Sequence, residues 1–318
     1  MNHRPLGRSG LSIAPLVLGG NVFGWNVDEA TAFGLLDAFV DAGLNLVDTA
    51  DTYASWAPGN QGGESETIIG RWLAQGGGRR ERVLIATKVG KWARHKGLAP
   101  ENIRAACEDS LRRLKVDEID LYFAHEDDSR VPLAETLGAF SRLMEEGKVR
   151  AIGASNYSAG RLADALSESA GDGLPRYEVL QPEYNLLERQ DYEAELEPMA
   201  RDRELGVIGY YGLASGFLTG KYRSEADLGK SRIRASAAQK YLDPRGLDVL
   251  AALDEVAAAY RATPAQVALA WLIARPGFTA PIASATSREQ LEELVGAVHL
   301  ELGTGDIERL DAASAAAA

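Results

Sequence analysis

Cysteine is almost missing from this chain of 318 residues. Cys107 stands alone, so no internal disulfide can form. Histidine is scarce as well: His3, His95, His125 and His299 are scattered without the spacing of a metal site. Basic residues are outnumbered 34 to 46 by acidic ones. The resulting formal charge of −12 argues against binding nucleic acid through a broad basic face, although a local phosphate grip remains open. No apolar run approaches the roughly 20 residues of a membrane span, and the opening Met-Asn-His-Arg-Pro stretch lacks the apolar centre of a secretory signal. The expectation is a cytoplasmic protein with neither nucleic-acid nor membrane partners. Its oligomeric state is not legible.

What is present is ordinary globular usage, 46% hydrophobic and 25% charged. The length admits two domains or one α/β barrel. Short apolar runs recur at 16–19, 46–48, 83–88, 119–124, 149–155, 177–181, 207–211 and 279–282. Such runs suit strands buried on both faces. The first seven start 28 to 37 residues apart, room for one strand, one helix and two loops. Helical patterns fill the gaps, at 28–42, 100–114 and 132–146, with Pro at the first turn of the second and third and Gly147 beyond the end of the third.

The last interval is about twice as long. It holds a polar, basic stretch at 221–240 and two helical patterns at 247–262 and 264–274, and we read it as a long loop followed by helices. Eight such units without a composition break predict one (β/α)8 TIM barrel over residues 1–318. A doubly wound sheet is the alternative. Residues 4–13, around Gly-Arg-Ser-Gly, predict an N-terminal β-hairpin across the barrel bottom, and the alanine-rich 312–318 stretch is expected to fray.

Common nucleotide and hydrolase motifs are absent. Gly171-Asp-Gly173-Leu-Pro-Arg176 ends wrongly for a dinucleotide fingerprint and follows a helix. Gly153-Ala-Ser155-Asn-Tyr157 lacks the final glycine of a nucleophile elbow. Chemistry in a barrel belongs at the C-terminal strand ends, and four polar residues stand there: Asp48, then Tyr53 five residues on, Lys88, and His125. Singly, each reads as an ion-pair or packing residue. Together, they offer a phenol, an ammonium that favours phenolate, a carboxylate that holds the ammonium, and an imidazole to hydrogen-bond a carbonyl oxygen.

This constellation resembles the aldo-keto reductase superfamily. The neighbouring text agrees, in Asn45-Leu-Val-Asp-Thr-Ala-Asp-Thr-Tyr53, Gly63-Glu-Ser-Glu66, Ala86-Thr-Lys88, Gly153-Ala-Ser-Asn156, Gln181-Pro-Glu-Tyr-Asn185 and Gly216-Phe-Leu-Thr-Gly-Lys221. The resemblance implies an NAD(P)H-dependent enzyme that reduces a small-molecule aldehyde or ketone of moderate size. Tyr53 would be general acid, Lys88 would bring its phenol toward neutrality, Asp48 would orient Lys88, and His125 would meet the carbonyl oxygen. It also implies that Ser155, Asn156 and Gln181 hold the nicotinamide carboxamide and Tyr210 stacks on the ring. Leu213, Ser215, Gly216, Leu218 and Lys221 would bracket the pyrophosphate, with Ser284, Arg288 and Gln290 at the adenosine end.

The chain departs from the family in two places. It reads Tyr210-Tyr-Gly-Leu213 where Tyr-Ser-Pro-Leu is frequent, and Arg288 is the only base between Ile282 and Leu294. NADPH is expected, with NADH open. Trp25, Trp56 and Trp92 are candidates for an apolar substrate wall, and the acidic Glu126-Asp127-Asp128 run would repel anionic substrates if it faced the mouth. Two other readings stay open: a cofactor-sensing binding subunit resembling potassium-channel β subunits, and a lyase or isomerase using Lys88 as a Schiff-base amine.

Overall fold

The computed structural model describes residues 2–230 and 235–315. Among these, ten strands occur: β1 (Arg4–Pro5), β2 (Ser12–Ile13), β3 (Val17–Gly19), β4 (Leu46–Asp48), β5 (Leu84–Val89), β6 (Ile119–Ala124), β7 (Val149–Ser155), β8 (Val179–Gln181), β9 (Gly206–Gly209) and β10 (Ala280–Ala283). β1 and β2 form an antiparallel hairpin. β3 to β10 are parallel and close into a barrel in chain order, with β10 pairing back onto β3. The (β/α)8 reading is therefore correct, and β4, β6 and β7 have the bounds that the apolar runs predict. β9 stops short of the expected 211, because Tyr211 turns into the left-handed region at φ 56°.

Period-2 alternation sorts each strand. Leu46, Ala86, Leu121, Phe123, Ala151, Val179 and Ile208 fill the barrel interior, while Val47, Ile85, Tyr122 and Ile152 pack outward against helices. The interior is a jigsaw of large and small. A Cβ on Gly153 would sit 2.3 Å from the Phe123 ring, so the glycine makes room for the aromatic. The hairpin inserts Leu6, Leu11 and Ile13 into this same interior and plugs the bottom, as the sequence predicts.

Helices cover the barrel, with their starts set by local chemistry. Asp28 caps Glu29–Asp41 by accepting from the Thr31 amide at 2.8 Å, and Pro100–Leu114 opens on its proline. Thr263 and Gln266 form a reciprocal capping box for Pro264–Ala274. The interval after β9 contains Ala235–Gln239 and Pro244–Tyr260 as well, so helical turns break up the basic loop expected at 221–240; positions 231–234 lie outside the described residues.

The expected fraying from 312 is corrected over its first residues. Helix Thr304–Ser314 reaches Ser314, whose hydroxyl accepts from Arg189 at 2.7 Å and whose carbonyl accepts from Arg245 at 2.9 Å; residues 316–318 lie outside the description. No helix among the described residues is long and apolar enough to cross a membrane.

The plug depends on Gly7. It has φ 58°, and a Cβ there would lie 2.4 Å from the Gly206 amide nitrogen and 2.6 Å from the Glu178 carbonyl oxygen. Gly7→Ala is expected to cost about 1–3 kcal/mol, read as a lower urea midpoint at unchanged slope. An unchanged midpoint would show that the hairpin does not seal the barrel.

Candidate active site

Parallel register sets the candidate side chains at one level. Asp48 ends β4 beside Ala86 of β5. Lys88 of β5 lies opposite Phe123 of β6, and His125 follows β6 with its amide bonded to the Val89 carbonyl at 2.9 Å. Lys88 is the hub. Its Nζ donates to Asp48 Oδ2 at 2.6 Å, to the Thr49 carbonyl at 2.9 Å and to the Tyr53 hydroxyl at 3.0 Å. Gln181 Nε2 donates to the other Asp48 oxygen at 2.9 Å, so the carboxylate is engaged at both ends. Lys88 and Asp48 are only 1% and 2% exposed. The four strand-end residues read from sequence therefore meet in space, with the Tyr53 and His125 rings 6.1 Å apart edge to face.

Protonation follows burial. Burial, and then the Asp48 carboxylate, push the Tyr53 phenol well above its ordinary range. The 3.0 Å bond from Lys88 to the Tyr53 oxygen is the contact through which the expected influence of Lys88 on the phenol would act. Burial also draws the Lys88 ammonium below the usual lysine range, against the pull of Asp48. His125 is held well below its ordinary value by burial, then by Lys88 and Lys91, so its imidazole is neutral. Its Nδ1 is buried without a hydrogen-bond partner among the described residues.

A second layer continues around the rim. Ser155 Oγ donates to the Gln181 carbonyl at 2.9 Å, and Asn156 Nδ2 donates to Ser155 Oγ at 3.0 Å and to the His125 carbonyl at 2.8 Å. The Tyr210 hydroxyl donates to Asn156 Oδ1 at 2.9 Å. Asn156 sits at φ 57°, a conformation asparagine tolerates better than most residues. Beyond Tyr210 the backbone turns through Ala214, Ser215 and Gly216 at φ 47°, 56° and 91°.

All of this opens onto one cleft of about 930 Å³ that runs from Trp25, Trp56, Tyr53 and His125 past Tyr210 to the 286–294 segment. Ser155, Asn156, Gln181, Leu213, Ser215, Gly216, Lys221, Ser284 and Gln290 line it, as expected. Trp25 and Trp56 meet edge to face at 5.6 Å, and Trp56 approaches Tyr53 at 6.0 Å.

Four expected residues do not line the cleft, and Lys88, 1% exposed, lies beneath it. Trp92 is buried behind it, donating to the Gln61 carbonyl at 2.9 Å under the Arg113 guanidinium. Leu218 is wholly buried in the outer core. Arg288 points along its own helix to Glu292 at 3.0 Å.

The acidic run after His125 does not line the cleft, so the condition for repelling anionic substrates is not met. Glu126 is paired with Lys96 at 2.6 Å, Asp127 with Arg161 at 2.9 Å and Asp128 with Arg130 at 2.8 Å, so it presents no naked negative charge. Sequence reasoning missed Lys91, Tyr211 and Glu293 on the cleft wall. For Lys91 the signal was its position three residues beyond Lys88, in the loop that leaves the same strand end.

A closed parallel barrel carrying a buried carboxylate–ammonium–phenol chain at its C-terminal mouth matches the comparisons. The signature of the aldo/keto reductase family covers residues 15–315, and this chain belongs to that family. It is 37% identical over 310 residues to the uncharacterized oxidoreductase YrpG of Bacillus subtilis (strain 168), covering 95% of this chain and 92% of the relative. It is 33% identical over 307 residues to a probable voltage-gated potassium channel subunit beta of Arabidopsis thaliana, covering 94% and 91%. An NADH-specific methylglyoxal reductase of Escherichia coli (strain K12) is 32% identical over 330 residues, covering 96% of each. The family and these relatives make the chain an oxidoreductase, of a family whose members use nicotinamide cofactors.

Removing Asp48 leaves a buried ammonium without its counter-charge. Asp48→Ala is expected to cost about 3–5 kcal/mol in urea unfolding, with part regained when Lys88→Met is added. A loss below about 1 kcal/mol, the scale of an exposed pair, would contradict the buried pairing.

Proposed function

We propose that the protein reduces an aldehyde or ketone to an alcohol, reversibly, with Tyr53 as proton donor. The observation that carries this reading is the 3.0 Å bond from Lys88 Nζ to the Tyr53 hydroxyl, at the inner end of a cleft large enough for a dinucleotide and a small substrate. A phenol whose burial keeps its proton through neutral pH is an acid waiting for a base. The carbonyl oxygen becomes that base as carbon is reduced. Lys88 then donates to an oxygen gaining negative charge, and Asp48, bonded at both oxygens, holds the ammonium in place.

His125 complements this. With Nδ1 buried and lacking an acceptor, the neutral ring keeps its proton on Nε2 and can offer it to the substrate oxygen as a hydrogen bond. In the oxidative direction Tyr53 is the base. The engagement of Lys88 by three partners, behind Tyr53, does not suit a Schiff-base amine.

The residues of the cleft fit a nicotinamide dinucleotide. Ser155, Asn156 and Gln181 offer hydroxyl and amide groups for the carboxamide, and the Tyr210 ring, fixed by Asn156, is a stacking platform. The turn at Leu213, Ser215 and Gly216, with Lys221, suits the pyrophosphate, and Ser284 and Gln290 the adenosine end. Bound there, the nicotinamide would supply the hydride that reduces the carbonyl carbon. We expect NADPH to serve and NADH to serve as well, because Arg288 does not line the cleft and a relative is named for NADH. Trp25 and Trp56 form the apolar wall for the substrate.

Residues 1–318 act on this reading as one catalytic domain, and the buried free thiol of Cys107 fits a reducing, cytoplasmic compartment. The relative named as a channel β subunit favours a second reading, a cofactor-sensing binding subunit.

Mixing the protein with NADPH or NADH and a panel of aldehydes separates the two, since a sensor binds cofactor without sustained loss of nicotinamide absorbance. Tyr53→Phe is expected to cut reduction by about a hundredfold or more while cofactor binding persists. Turnover that survives the substitution would overturn the assignment of the acid.

A further inference from the structure

The chain carries an excess of negative charge, yet the substrate end of its cleft is faced by a lysine. Lys91 follows β5 and lines the same cleft as Tyr53, His125, Trp25 and Trp56. Its placement is fixed by backbone. The His125 amide bonds to the Val89 carbonyl at 2.9 Å, and the Gly97 amide returns to the Gly90 carbonyl at 2.9 Å, so the Lys91 loop is pinned beside the imidazole. Its charge reaches the reacting groups, since it helps to hold both the His125 and the Lys88 side chains below their ordinary values.

The carboxylate paired with Lys91 is shared with a second lysine. Glu126 Oε1 accepts from Lys96 at 2.6 Å, and Oε2 stands 3.8 Å from Lys91, an ion pair beyond hydrogen-bond length. The two acidic residues that follow are engaged by Arg161 and Arg130. Lys91 is also 37% exposed, so part of its side chain is open to solvent at the mouth. Opposite the reacting groups, Trp25 and Trp56 offer apolar ring surface and no charge.

We propose that Lys91 is a specificity-determining residue that binds a carboxylate on the substrate, so that the preferred substrates are aldehydes or ketones carrying a carboxylate, their apolar body lying against Trp25 and Trp56. This rests on the reductase reading and adds a substrate class to it. An anionic group at Lys91 would supply the close hydrogen-bonded partner that Glu126 does not, a charge-assisted bond at a partly desolvated mouth. Neutral carbonyl compounds of the same shape would leave the ammonium as it is.

The test compares benzaldehyde with the three carboxybenzaldehydes at low ionic strength. For the best-placed isomer KM is expected to be about tenfold lower than for benzaldehyde, the scale of one hydrogen bond to a charged group. Lys91→Gln is expected to bring the two KM values to within a factor of about two, while Lys91→Arg keeps most of the gap and added salt narrows it. Equal KM values in the unaltered protein, or a gap that persists in Lys91→Gln, would overturn the inference while benzaldehyde turnover still upheld the reductase reading. If neither aldehyde is reduced, the reductase reading falls by itself. Quenching of tryptophan fluorescence by the same compounds then decides the inference: tighter binding of a carboxybenzaldehyde, lost in Lys91→Gln, upholds it, and equal binding overturns it.

Discussion

The ion pair between Lys88 and Asp48 is the constraint around which the mouth of the barrel is arranged. Two charges taken out of water carry a desolvation cost that their attraction offsets only with short geometry and with every remaining donor and acceptor satisfied. Both conditions hold here. The bond is 2.6 Å, Thr49 and Tyr53 take the other Lys88 donors, and Gln181 takes the second Asp48 oxygen. Gln181 in turn is tied through its carbonyl to Ser155, and Ser155 through Asn156 to Tyr210. One buried pair on adjacent strands therefore fixes the rim around more than half of the ring, from β4 to the end of β9.

The barrel makes such a pair affordable. Strand ends presented side by side bring Asp48, Lys88 and His125 together at little cost in loop entropy, because the main chain of each is already ordered by its ladder. The bottom of the barrel is sealed by Leu6, Leu11 and Ile13, which leaves the upper mouth as the open end. The chemistry is thereby confined to one side, and the loops that differ most from the family pattern, around Tyr211 and 286–294, stand at that side's periphery.

Much of this was legible in the sequence because it is periodic. Evenly spaced apolar runs fix the strands, and a polar residue that ends a run, as Asp48 and His125 do, has to stand at the mouth. What was not legible depends on direction rather than position. Trp92 follows a strand just as Trp25 does, yet its ring turns back beneath Arg113. Leu218 sits in a cofactor-like motif, yet its aliphatic side chain is drawn into the core. Arg288 is the single base in its segment, yet a helical neighbour four residues on claims it. The Tyr53 phenol shows a different limit: its neighbours were predictable, but the upward push on its proton affinity comes from burial, which a string of letters does not state. Lys91 was overlooked for a related reason, since only the structure shows which of its acidic neighbours are taken.

The central claim is that the Lys88 ammonium, held by Asp48, enables Tyr53 to surrender its proton. Single-turnover measurement of nicotinamide absorbance loss with Lys88→Met, at saturating cofactor and aldehyde, tests it most directly. The account predicts a rate lower by about a hundredfold or more with cofactor affinity little changed. A rate within about tenfold of the unaltered protein would contradict it, because a barrier change of about 1.4 kcal/mol is too small for the loss of the charge that meets the forming phenolate.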